Sequence, residues 1–125
     1  MLKGKIHRAT VTEADLNYVG SLTLDKDLMD ACCLSEYEKI QVLDITNGNR
    51  IETYLISGER GSGKVCINGA AAHLIHEGDL VIIVSYCQLT YEESLIHKPQ
   101  IVHVDRQNHI TATSNQENVL DKFIK

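Results

Sequence analysis

Short β-prone runs, each closed by a turn signal, constrain this chain more than any other feature. The longest aliphatic stretch is Leu80-Val81-Ile82-Ile83-Val84, introduced by Gly78-Asp79. It falls far short of the ~20 apolar residues a membrane helix needs, and no membrane partner is expected. Strands are predicted over residues 2–11, 40–45, 50–57, 64–67, 80–86 and 101–104, with a further β-prone run over 18–24 interrupted by Gly20-Ser21. In the first of these, alternation puts Lys5 and His7 on one face, and Ile6 and Arg8 on the other. Asn47-Gly48 is the strongest hairpin signal, because both positions tolerate positive φ, and it joins the run over 40–45 to the run over 50–57. A glycine inside a strand pattern, as at Gly20, marks a bulge, a turn or the close approach of another backbone.

Helical signals are few and short. Thr12 with Asp15 three residues on predicts a single helical turn, and residues 25–34 carry a helical stripe capped by Asp25 or Asp27. Residues 68–73 read as a turn opening a short helix. Thr90 with Glu93 forms a capping box for a helix ending before Pro99. The tail is polar from Thr111 until a helically spaced group at 119–124, and is expected to be partly disordered or a terminal helix. About seven short strands with few helices make the chain mainly β and point to a small β-barrel. Its 125 residues suit a single domain.

Charge and cysteine usage narrow the function classes. Twelve basic residues stand against 17 acidic ones, a net charge of −5, so no nucleic acid partner is expected. The N-terminus alternates charged and apolar residues and lacks a signal-peptide core, which predicts a soluble, cytoplasmic protein. Cys32 and Cys33 are adjacent, Cys66 and Cys87 stand apart, and no C-x-x-C occurs, so the cysteines read as buried free thiols.

Three catalytic patterns fail on inspection. Gly58-x-x-x-x-Gly63-Lys64 matches a phosphate loop up to its lysine, but Val65 stands where magnesium needs a hydroxyl, and the following run is β-prone rather than helical. His73 and His76 have no third ligand in register, and His97, His103 and His109 lie in separate contexts, so no metal is expected. No serine sits in a Gly-x-Ser-x-Gly elbow. Gly20-Ser21 remains: a serine can attack the carbonyl before it if the backbone is held strained, and glycine removes the steric obstacle.

The blocks Gly4-Lys5-Ile6-His7-Arg8, Ala14 to Ser21, Asn47-Gly48-x-Arg50-x-x-Thr53-Tyr54, Arg60-Gly61-Ser62, Asn68-Gly69-Ala70-Ala71-Ala72-His73 and Gly78-Asp79-x-Val81-Ile82-Ile83 follow one another in order. Together they resemble the pyruvoyl-dependent aspartate 1-decarboxylases, from Met1 to about Asn108. The resemblance implies a six- to seven-stranded double-psi β-barrel with a few short helices, assembled as a homotetramer. It further implies self-cleavage between Gly20 and Ser21 into chains 1–20 and 21–125, with Thr53 and Asn68 assisting and Ser21 becoming a covalent pyruvoyl group. L-aspartate would form a Schiff base with that group and lose carbon dioxide to give β-alanine for pantothenate biosynthesis, without metal or pyridoxal phosphate. By the same resemblance Lys5, Arg50, Thr53 and the backbone of Gly69, Ala70 and Ala71 bind substrate, and Tyr54 donates a proton to the carbanion.

The residues themselves supply one check. Arg50 and Tyr54 are four apart on a strand and share a face, ~13 Å between Cα atoms, whereas Thr53 points the other way. Either the strand bulges at Thr53, or the site lies at an edge shared between neighbouring subunits. The competing reading is a non-catalytic double-psi barrel acting as a binding module, since a fold does not dictate a function.

Overall fold

The structure is a computed structural model and describes residues 1–117. Its strands are β1 (Leu2–Thr10), β2 (Glu13–Asp15), β3 (Ser21–Asp25), β4 (Lys39–Asp44), β5 (Arg50–Gly58), β6 (Val65–Asn68), β7 (Leu80–Tyr86), β8 (Gln100–Val104) and β9 (Ile110–Ser114). Two helical segments, α1 (Lys26–Ala31) and α2 (Tyr91–Ile96), and a 3-10 turn at Gly69–His73 complete the described chain. All nine strands join one sheet in the order β2-β6-β3-β5-β4-β7-β1-β8-β9, with parallel pairs β1/β8, β2/β6 and β3/β5 set among antiparallel ones. The protein is mainly β, as expected, and consistent with a small β-barrel, although the ladder of described strands does not close on itself.

The sheet holds nine strands rather than six or seven, and the two extra ones have physical causes. At residues 13–15 the predicted helical turn is a strand, because the Thr12 hydroxyl bonds across to the Val65 backbone, accepting from its N–H at 2.9 Å and donating to its carbonyl at 3.1 Å. A side chain that would cap a helix instead steers β2 onto β6. The second addition, β9, pairs with β8 where a polar tail was expected; nearly all of its residues are exposed, so no burial alternation marks it. The helical spacing at residues 119–124 lies outside the described residues.

Leu22, Leu24, Leu55, Ile67, Ile83 and Met29 are fully buried and centre the core. On β1, Ile6 is buried, but Arg8, expected on the same face, does not follow it. One extra residue between Ile6 and Ala9 breaks the β1–β7 register, Arg8 adopts φ +65°, and Ala9 takes the buried place. Helix α1 is shorter than the predicted 25–34. Asp25 caps it by accepting the Asp27 N–H at 2.8 Å. At α2 both halves of the Thr90–Glu93 capping box form. No described helix is long and apolar enough to cross a membrane.

Candidate active site

Asp25 also explains why the glycine-rich loop at 58–63 does not cradle a phosphate. Its buried carboxylate accepts the N–H groups of Gly61 at 3.1 Å and Gly63 at 2.9 Å, so amides that would face an anion are already occupied. Among the described residues no three His, Cys, Asp or Glu side chains converge to hold a metal ion. Of the cysteines, Cys32 and Cys66 are buried, whereas Cys33 is exposed and Cys87 lies between.

The Gly20–Ser21 bond stands where β3 begins. Ser21 is only 2% exposed and holds φ +147°, a value rare for a residue with a side chain and one that stores backbone strain. It pairs with Asn68 across the antiparallel β3–β6 ladder, and Thr23 pairs with Cys66 two rungs along. Side chains two apart on a strand share a face, so these four stand together, with Leu22, Leu24, Val65 and Ile67 turned into the core. Asn68 Nδ2 donates to Ser21 Oγ and to Thr23 Oγ1, each at 3.0 Å, and Cys66 Sγ donates to Asn68 Oδ1 at 3.1 Å. Burial, with Glu13 adding to it, pushes the Cys66 thiol above its ordinary pKa and keeps it protonated.

The 3-10 turn brings a second backbone against the same bond. Gly69 has φ +74°, and a Cβ there would stand 2.8 Å from Gly20 Cα and 3.2 Å from the Tyr18 carbonyl oxygen. A Cβ on Gly20 would meet nothing within 4 Å. The steric need assigned to Gly20 in the sequence therefore falls, in the folded chain, on Gly69. Ala70 is exposed and Ala71 partly buried, while Ala72 and Ile75 anchor the turn in the core.

Thr53, Tyr54 and Arg50 arrive on β5, the parallel neighbour of β3. The rung Leu22–Leu55 is preceded on one strand by Ser21 and on the other by Tyr54. The β4–β5 register runs unbroken from Lys39–Tyr54 to Leu43–Arg50, so there is no bulge at Thr53. Arg50 and Tyr54 share the outer face, and Thr53 is half-buried on the face of Ile51 and Leu55. Tyr54 has its ring centroid 6.4 Å from that of Tyr37, a neighbour with no sequence signal. The turn before Arg50 is held against the end of the 69–73 segment, since Asn47 Nδ2 and Asn49 Nδ2 each donate to the Leu74 carbonyl at 2.9 Å. Beneath that turn, Asp44 Oδ1 accepts the N–H groups of Thr46 and Asn47.

Lys5 lies on β1, and its ion pair is with Glu117 rather than with a residue of this cluster. Four ladder steps, through β5, β4, β7 and β1, separate it from Ser21, a path of ~19 Å along the sheet. Its ammonium meets the Glu117 carboxylate at 2.9 Å, and its side chain is 18% exposed.

Comparison with known proteins identifies the family of the chain. The family model described as aspartate decarboxylase matches residues 1–111. An aspartate 1-decarboxylase of Caldicellulosiruptor saccharolyticus is 61% identical over 117 residues, covering 94% of this chain and 91% of the relative. Aspartate 1-decarboxylases of Clostridium botulinum and Clostridium kluyveri are each 57% identical over 117 residues, covering 94% of this chain and 92% of theirs. The chain belongs to the aspartate decarboxylase family.

Proposed function

We propose that this chain cuts itself between Gly20 and Ser21 and then decarboxylates L-aspartate to β-alanine, as a cytoplasmic homotetramer serving pantothenate biosynthesis. The observation that carries the reading is the strained, buried Ser21, bonded to Asn68, with the Gly69 turn packed against Gly20 on the other side of the bond to be cut. In the first step Ser21 Oγ attacks the Gly20 carbonyl carbon. The C–N bond breaks and the hydroxyl proton passes to the departing nitrogen, leaving an ester. Relief of an unfavourable φ favours that step. Elimination of the Gly20 carboxylate and hydrolysis, releasing ammonia, then leave a pyruvoyl group at the start of chain 21–125.

The residues present fit that group. Position 21 is buried, and its neighbours Asn68 and Thr23 offer polar partners. The pyruvoyl ketone supplies an electron sink for the substrate's Cα, the task pyridoxal phosphate performs elsewhere, so no external cofactor is needed. Arg50 offers a planar fork for one substrate carboxylate and Lys5 a point charge for the other. With Lys5 four strands along the sheet from Ser21, a neighbouring subunit completes the site in this reading. Tyr54, on the face of Arg50 and next to the β3 ladder, is the proton donor, and Thr53 with the Gly69-Ala70-Ala71 backbone lines the substrate. Thr53 and Asn68 also serve the self-cleavage.

The test is production of β-alanine and carbon dioxide from L-aspartate by the purified chain, with Ser21→Ala as the control. The variant should be folded, uncut and inactive. Activity in Ser21→Ala would refute the reading.

A further inference from the structure

An asparagine amide is nearly symmetric in shape, so packing alone does not decide which end faces Ser21. The hydrogen bonds of Asn68 assign one orientation. The Asn68 side chain has Ser21 Oγ and Thr23 Oγ1 at its amino end and Cys66 Sγ at its carbonyl end. We infer that Cys66 is a positioning residue for self-cleavage: its thiol donates to Asn68 Oδ1 and so locks the amide with Nδ2 directed at Ser21 Oγ.

The consequence follows from lone pairs. With Nδ2 donating, Ser21 Oγ uses one lone pair as acceptor and keeps the other for attack, and its own proton is not tied to Asn68. Turned over, Asn68 Oδ1 would face both hydroxyls and draw the Ser21 proton toward itself, away from the nitrogen that must receive it. The Cys66 thiol would then face an N–H that it accepts only weakly. Register makes the lock possible: Cys66 and Asn68 are two apart on β6, opposite Thr23 and Ser21 on β3, so all four side chains meet on one face. Cys66 is 3% exposed, and its burial keeps the sulfur protonated and a donor.

This inference rests on the reading that the Gly20–Ser21 bond is cut, and its test separates the two. The full chain and its Cys66→Ser, Cys66→Val and Cys66→Ala variants are produced in parallel, and the uncut fraction is followed over time by intact mass, with melting temperature as a check on folding. Serine restores a donor; valine fills similar space without one. Cleavage about tenfold slower is expected for Cys66→Val and Cys66→Ala, the worth of one hydrogen bond, with Cys66→Ser close to the parent rate. Cys66→Val maturing at the parent rate, or Cys66→Ser as slow as Cys66→Val at equal melting temperature, would overturn the assignment. If the parent chain itself stays uncut, it is the self-cleavage reading that fails.

Discussion

A Cβ placed on Gly69 would stand 2.8 Å from the Cα of Gly20, closer than side-chain carbons approach a backbone. Residues 49 positions apart in sequence are thus in backbone contact at the bond proposed to break. Gly69→Ala must push the two segments apart and also pay for φ +74°, a strain of about 1–3 kcal/mol. We expect a folded protein whose self-cleavage is slowed about ten- to a hundredfold, read as the uncut fraction by intact mass. Unchanged maturation would show that the close approach is dispensable.

Tyr54→Phe removes only a hydroxyl from an exposed strand position, so folding and maturation should proceed. Turnover should fall by ~10²–10⁴, the usual worth of a positioned proton donor. Full activity of the matured variant would exclude Tyr54 from that role.

The Lys5–Glu117 ion pair occupies a cation proposed to bind substrate. Glu117→Gln should lower the KM for aspartate about two- to fivefold at low salt and leave kcat alone. The difference should shrink at high ionic strength, where the pair is screened. An unchanged KM at low salt would mean that the pair does not compete with substrate.

Asp44 predicts a pH dependence of stability. Burial, followed by the Asp79 carboxylate beside it, raises its pKa from the ordinary carboxyl range to about 6. A folded value above the unfolded one means that the native state holds an extra proton between about pH 4 and pH 6. The stability this contributes is present in full below about pH 4 and lost as pH rises through 6. Asp44→Asn keeps an acceptor for the Thr46 and Asn47 amides and carries no charge. It should be more stable than the parent at pH 8, by on the order of 2 kcal/mol, and no more stable at pH 4. Denaturant melts at the two pH values check this; an equal pH slope in both proteins would contradict it.

Much of the fold is legible where local chemistry and tertiary packing agree. Residues 80–86 form a strand over the predicted span, and the Thr90–Glu93 box caps α2 as its spacing requires. Local rules fail where a distant partner decides. The Thr12 hydroxyl is drawn to Val65, 53 residues away, and β9 exists because β8 offers it an edge. The site divides in the same way. Gly20-Ser21 stands out in the sequence by its residue types, but the Ser21–Asn68 bond spans 47 residues and depends on β3–β6 register. Cys66, Thr23 and Tyr37 lack a motif of their own, and only the folded sheet brings them to Asn68 and Tyr54.

The most direct test is the intact mass of the purified protein under denaturing conditions. Self-cleavage predicts two species meeting at Gly20/Ser21, residues 1–20 and residues 21–125, the larger with the mass of a pyruvoyl group in place of its N-terminal serine. A single species of 125 residues that makes no β-alanine would contradict the proposed function and favour a non-catalytic barrel.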